Sequence, residues 1–255
     1  MSKPNKQAWR VVWITGASSG IGREVAKLIA RRGVKVAVSA RSAAALEALA
    51  AEVPGIYPYP LDVSDAADVA RTAAAISEEL GAIDLALFNA AIWRPMGVDK
   101  LDLAEVRRSV DINFMGVIYG VDAVVGAMLA RGHGHIAITS SVAGYRGLPM
   151  SAAYAPMKAA LINLAETMRL ELEERGVTVT IINPGFIDTP MQAENDFPKP
   201  FMISAEDAAQ RMLRGLDRRA YDISFPWQLV YALWLGRILR NEGYFRYARW
   251  VLLRR

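Results

Sequence analysis

The 255-residue chain is 53% hydrophobic and 22% charged, with a mean hydropathy of +0.17, which excludes a disordered or low-complexity protein and suits one α/β domain. It holds no cysteine and two histidines, so disulfides, thiolate metal sites and cysteine nucleophiles are excluded, and neither a histidine zinc site nor a Ser-His-Asp triad is expected. The net charge of +4 points to nucleic acid only if it is clustered on one segment.

The opening MSKPNKQAWR is polar, and no uncharged apolar run reaches the roughly 18 residues of a membrane span; a cytoplasmic protein that does not cross a membrane is expected. From there β-branched runs alternate with helical patterns. Residues 11–15, 34–39, 56–61, 83–88, 135–139 and 177–182 read as strands, near-continuously apolar as strands covered on both faces require. Between them, 21–32, 42–52, 64–80, 102–131 and 152–175 carry helical periodicity, with Ser42 and Ser64 as N-caps and Gly33, Gly81 and Gly176 at the C-terminal ends. His133 and His135, in RGHGHI, read as solvated turn residues. Residues 183–204 hold four prolines and little periodicity, as a lid or binding segment does. Strands joined by helices imply a parallel sheet with right-handed crossovers, whose ligands bind at the carboxyl ends of the strands.

The first such end carries TGASSGIG, Thr15 to Gly22, leading into a helix. Gly16 permits a tight turn, Gly20 lets backbone approach a ligand and Gly22 lets helix and strand pack closely. With Ser18, Ser19 and Ile21, this loop offers free N–H groups and the positive end of a helix dipole to a pyrophosphate. The second strand ends in Ala40-Arg41-Ser42, where NAD binders usually place an acid; Arg41 suits a 2′-phosphate, so NADP(H) is favoured over NAD(H), against the plainer reading of an exposed arginine starting a helix. After the third strand, Asp62 with Val63 reads equally well as an adenine contact and as a turn.

Tyr154 and Lys158 are four apart in YAPMK and share a helix face. An adjacent ammonium favours phenolate, which suits the pair to exchange a proton with a carbonyl or an alcohol. Ser141, thirteen residues before Tyr154 in ITSSVAG, is placed to hold the substrate oxygen; Ser140 competes, and the spacing favours Ser141.

Together these residues resemble a short-chain dehydrogenase/reductase of the single-domain kind, from about Trp9 to Phe225. The resemblance rests on the glycine loop, Asn113 in DINFMG, Ser141, the Tyr154–Lys158 pair and the Pro184-Gly185 turn, in family order and spacing. It implies an α/β fold, a Rossmann-like doubly wound parallel sheet flanked by helices. It also implies roles: Tyr154 exchanges the proton, Ser141 positions the substrate oxygen, and Lys158 binds the nicotinamide ribose and tunes Tyr154. Asn113 would hold a helix kink and a relay water, Asn89 would line the cofactor site, and Ile187 and Thr189 in NPGFIDTP would contact nicotinamide or phosphates. Two features depart from the family: Phe88-Asn89-Ala90-Ala91 ends where a glycine is usual, and Pro156 removes an N–H within YAPMK.

From Arg211 to Arg255 ten arginines face three acids, a net +7 that leaves −3 on the rest. Residues 227–239 (WQLVYALWLGRIL) are apolar on nearly every side, and 244–253 interleave aromatics with Arg246 and Arg249. A helix apolar all round must be covered: by the protein or another subunit, or by a membrane surface with arginines facing anionic lipid. The pattern is too apolar for nucleic acid, and none is expected. The expectation is therefore a catalytic body over 1–225 with a helical extension over 226–255. Its activity would be NADP-dependent carbonyl/alcohol interconversion on an apolar small molecule, with Trp93, Met96, Tyr145, Met150, Met191 and Phe197 around the pocket. A homo-oligomer is expected from the broad apolar faces of 102–131 and 152–175. The alternative is a nucleotide-binding scaffold or redox sensor without turnover, for which Ser141, Tyr154 and Lys158 would serve no purpose.

Overall fold

The computed structural model describes residues 9–193 and 199–252. In chain order the elements are β1 Val11–Thr15, α1 Gly20–Ala30, β2 Lys35–Ser39, α2 Ala43–Glu52, β3 Ile56–Pro58, α3 Ala66–Glu79, β4 Leu85–Phe88, α4 Leu103–Val110, α5 Gly116–Ala130, β5 Gly134–Thr139 and α6 Ala155–Leu172. They continue with β6 Val177–Pro184, β7 Ile187–Asp188, α7 Pro190–Ala193, β8 Ile203–Ser204, α8 Ala205–Asp217, β9 Asp222–Phe225, α9 Trp227–Ile238 and α10 Asn241–Leu252.

Seven strands form one parallel sheet in the order β3-β2-β1-β4-β5-β6-β9. Period-two alternation sends successive β1 side chains to opposite faces. Val12 and Ile14 join a core under α1, α2 and α8, built with Ile29, Leu46 and Met212. Val11 and Trp13 join the core under α3, α5 and α6, with Ile76, Met128 and Leu161. Each such side chain contributes about 1.5–3 kcal/mol by leaving water, so burial on both faces, rather than strand propensity, holds this sheet together. The order reverses between β1 and β4, and the crevice beyond their carboxyl ends is where such folds bind ligands.

Several boundaries and one whole region differ from the sequence reading. Asp65, not Ser64, caps α3, its carboxylate accepting from Ala67 N and Asp68 N; Ser64 instead donates to Asp62. His135 is buried on β5, its Nε2 2.8 Å from Thr180 Oγ1, and burial pulls its pKa down to about 3; it is not a solvated turn residue. Helix α8 and strand β9 add an edge to the sheet that the sequence reading left unassigned. The signal was present: Ser204 accepts from Asp207 N as N-cap, acids fill the first turn, and Ala208, Ala209, Met212, Leu213 and Leu216 form the buried stripe. Within 183–204, β7 pairs with β8 through Ile187–Ile203 and Asp188–Ser204.

The helical stretch Leu103–Ala130 is long and apolar enough, by length and composition, to cross a membrane. Here it is a layer of the fold: Val117, Val124 and Met128 pack against the sheet, and Gly120 admits the Phe88 ring, which would lie 2.2 Å from a Cβ there.

Candidate active site

The glycine loop joins β1 to α1 at the switch in strand order. Gly16 takes φ +68°, and a Cβ on it would stand 2.6 Å from Ala90 Cα, so only glycine lets the β1 and β4 ends approach this closely. Thr15 Oγ1 accepts from Asn89 N at 3.1 Å and Ala90 N at 3.2 Å, and Asn89 Nδ2 donates to Gly16 O at 3.3 Å. Ser19 occupies the N-cap of α1 without a side-chain cap bond, and no acid lies in the first turn. The N-terminal N–H groups and the helix dipole thus face an anion uncontested, with Ser18 and Ile21 on the same turn. Thr189 reaches over this loop, its Cγ2 2.9 Å from a Cβ built on Gly20. These residues fit a dinucleotide, with the pyrophosphate at the loop.

Around this loop lie the other expected cofactor residues. Arg41 is exposed at the end of β2. Ser42 caps α2 through Ala45 N at 3.3 Å. Asp62 Oδ1 accepts from Ser64 N at 3.0 Å and Ser64 Oγ at 2.7 Å, so the turn reading is realised at that oxygen. Those bonds hold its carboxyl below the usual range, with Arg41 and Arg108 adding to the effect. Val63 is buried against Gly116. Pro184 ends β6, Gly185 N donates to Phe225 O at 2.7 Å, and Ile187 is buried in β7. Ala91 has no positive φ, so the missing glycine imposes no backbone strain.

The polar cluster lies across the crevice. Tyr154 is the N-cap of α6, and Lys158 N donates to Tyr154 O at 3.1 Å, which sets the two side chains one turn apart. Pro156 falls within the first turn of α6, where an N–H has no intrahelical partner to lose. Lys158 Nζ donates to Thr139 O at 2.9 Å and sits 5.4 Å from the Tyr154 ring centre. The Ser141 hydroxyl lies close enough to the Tyr154 phenol to lower its pKa. Its Oγ also accepts from Ala143 N at 3.1 Å and lies 3.3 Å from Pro184 O. Ser140 Oγ instead donates to Lys158 O, and Ser141 is the serine beside Tyr154.

The electrostatics differ from the simple expectation of an ammonium lowering a phenol. Burial pulls Lys158 down from 10.5 to about 7, which removes much of its charge at neutral pH. Burial also pushes Tyr154 up to about 12, with the Ser141 hydroxyl acting the other way. For both groups desolvation is the largest effect.

Asn113 lies in a π-type turn, residues 111–115, between α4 and α5. Its Oδ1 accepts from Ile92 N at 2.8 Å, and its Nδ2 donates to Ile92 O at 2.9 Å and to Ser109 Oγ at 2.8 Å. Ser109 in turn donates to Ala153 O at 2.6 Å, tying this helix to the residue before Tyr154. Sequence reasoning missed Ser109; its place one turn before Asn113 was the available signal.

Trp93 meets the Tyr154 ring edge-on at 6.4 Å. A cavity of about 590 Å³ adjoins the cluster, lined by Met96, Val98, Tyr145, Leu148, Met150 and Ala155 among others. It includes neither Tyr154 nor Ser141, so it neighbours the polar groups rather than containing them. Met191 is exposed on α7; Phe197 lies outside the described residues.

A parallel doubly wound sheet with a glycine loop at its switch point and a Ser-Tyr-Lys cluster facing it defines a dinucleotide-dependent oxidoreductase. The short chain dehydrogenase family model matches residues 10–199, and the chain belongs to that family; it is an NAD(P)-dependent dehydrogenase/reductase. An uncharacterised oxidoreductase of Myxococcus xanthus is 37% identical over 240 residues, covering 92% of this chain and 95% of its own. A Sphingobium yanoikuyae short-chain dehydrogenase in complex with NADPH superposes with a TM-score of 0.79 at 26% identity, over 91% of this chain and 96% of its own. A Burkholderia phymatum short-chain dehydrogenase/reductase in complex with NAD gives 0.82 at 24%, over 91% and 94%, a likeness of fold.

Proposed function

We propose that the protein uses NADP(H) in preference to NAD(H) to interconvert a carbonyl and an alcohol on an apolar small molecule, with Tyr154 as general acid and base. The carrying observation is the meeting of Tyr154, Ser141 and Lys158 at one end of the crevice, opposite the glycine loop. Arg41, exposed at the end of β2 where an acid would select a ribose hydroxyl, supports the 2′-phosphate preference.

When bound, the dinucleotide supplies or accepts the hydride. In the reducing direction the Tyr154 phenol gives its proton to the substrate oxygen, and Ser141 Oγ turns from Pro184 O to donate to the same atom, fixing the carbonyl and offsetting its developing charge. Lys158, held by Thr139 O, stands beside the phenol and would hold the nicotinamide ribose; in its protonated form it favours phenolate. Asn113 keeps the helix turn and the Ile92 segment in register. Gly16, Ser18, Ser19, Gly20, Ile21 and Gly22 would hold the pyrophosphate, Ser42 and Arg41 the 2′-phosphate, Asp62 and Val63 the adenine, and Asn89, Pro184, Gly185, Ile187 and Thr189 the nicotinamide half.

The apolar side chains of the adjoining cavity and Trp93 support a lipophilic substrate. Half-exposed apolar positions on α5 and α6, with Leu170 fully outward, support a homo-oligomer, and the cysteine-free composition a cytoplasmic setting. The test is NADPH oxidation by the purified protein across a panel of aliphatic and aromatic aldehydes and ketones. Turnover faster with NADPH than with NADH is expected; nucleotide binding with no oxidation of any compound would replace this reading with that of a scaffold.

A further inference from the structure

The two C-terminal helices have one face built into the protein and another left bare. On the inner side, Leu229 packs so closely on Gly185 that a Cβ there would stand 2.6 Å from its Cδ2, and the Tyr244 ring lies 3.2 Å from a Cβ on Gly236. Tyr244 is buried, donates to Gly147 O and lies under the Arg146 guanidinium at 4.2 Å. Arg146 also reaches Asn241 Oδ1 at 3.3 Å. Arg146 and Gly147 line the 590 Å³ cavity, so the tail is anchored at the edge of that cavity.

On the outer side, Trp227, Tyr231, Trp234 and Ile238 are 69%, 56%, 47% and 62% exposed. Their spacing of four, three and four places them on one stripe of α9, and Tyr231 stacks on Trp234 at 6.2 Å. Soluble surfaces rarely leave four large apolar side chains in a row facing water. Arg240, two residues beyond Ile238, is exposed, as are Arg246 and Arg249 on α10. From Trp227 to Arg255 the sequence carries six arginines, no lysine and a single acid, Glu242.

We propose that this stripe docks the protein on an anionic membrane surface, with Trp227, Tyr231, Trp234 and Ile238 at the headgroup and acyl boundary and the arginines on lipid phosphates. Charge separates this occupant from a second copy of the chain. A two-fold contact sets the same patch against itself, and with it a segment that carries six arginines to one acid. Aromatic side chains at the interface and basic ones toward anionic headgroups are the arrangement a surface-bound helix needs. At twelve residues α9 is too short to span, so the contact is peripheral and salt-sensitive. It brings the edge of the apolar cavity to the place where lipophilic compounds concentrate. The docking itself stands independently of which substrate is turned over.

The test is flotation of the full chain with vesicles of phosphatidylcholine alone or with one third phosphatidylglycerol. Wild type should float with the anionic vesicles and much less with the neutral ones, and high salt should release it. Trp227→Ser with Trp234→Ser, and separately Arg240→Gln with Arg246→Gln and Arg249→Gln, should each cut the bound fraction about tenfold or more, with the melting temperature and solution mass unchanged. Wild type left in the soluble fraction with both vesicles overturns the proposal. So does a double tryptophan variant that floats like wild type, or one that lowers the lipid-free assembly mass, which would make the stripe a subunit contact.

Discussion

Replacing Lys158 with methionine should make the nucleotide-free protein more stable while ending its chemistry. The ammonium is buried, its one hydrogen bond among the described residues goes to Thr139 O at 2.9 Å, and burial pulls its pKa from 10.5 to about 7. At about 1.4 kcal/mol per unit, that displacement means the buried charge costs several kcal/mol at neutral pH. Subtracting about 1–3 kcal/mol for the lost bond and the stranded carbonyl leaves a net gain of about 2 kcal/mol. For a chain of this size that is a rise of roughly 4–8 °C in Tm. The sign with pH is definite. Between pH 7 and 10.5 the unfolded lysine holds a proton that the folded one has lost, so wild-type stability rises through this window. Methionine does not titrate, and its advantage should shrink as pH rises. Tyr154, raised to about 12, acts in the opposite sense only above pH 10. Melting curves of both proteins at pH 7.5, 8.5 and 9.5 provide the assay. A Lys158→Met protein that is less stable at pH 7.5, or a difference that stays constant with pH, would refute the argument.

Arg41→Ala should weaken NADPH about ten- to a hundredfold by calorimetric titration, the worth of a charge-assisted hydrogen bond, and leave NADH unchanged; equal losses would remove the 2′-phosphate assignment. Gly16→Ala places a Cβ 2.6 Å from Ala90 Cα at a φ of +68°. It should cost about 1–3 kcal/mol in a chemical melt and abolish measurable nucleotide binding. Ser109→Ala removes the bonds that Ala153 O and one Asn113 Nδ2 hydrogen make to its hydroxyl. A loss of about 1–3 kcal/mol is expected, with kcat falling more than KM changes; unchanged kcat would make Ser109 purely structural.

The core of the fold was legible because buried parallel strands need apolar residues on both faces, and Val11 to Thr15 or Val177 to Ile182 have no other use for them. The Ser141, Tyr154 and Lys158 grouping was legible because an i, i+4 pair on a helix stays together whatever else the chain does, even with Tyr154 at the cap rather than inside. What escaped was set by tertiary context. Strand β9 is four residues long with Asp222 exposed, and it becomes a strand only because β6 offers it a ladder. His135 looked like a turn residue until Thr180 and the Trp9 ring enclosed it. Asp65 displaced Ser64 as cap because Asp62 had already taken the serine hydroxyl. The opposed pKa displacements of Tyr154 and Lys158 arise from burial, which residue spacing does not carry.

The central claim is that the Tyr154 phenol moves the proton that accompanies hydride transfer. Tyr154→Phe removes one oxygen and leaves the ring against Trp93 and the helix start intact. With NADPH and the best carbonyl from the panel, the variant should lose about a hundred- to ten-thousandfold in kcat. NADPH affinity, read by fluorescence titration, should remain within about twofold of wild type. A variant that keeps turnover within tenfold of wild type while binding NADPH normally would contradict the account.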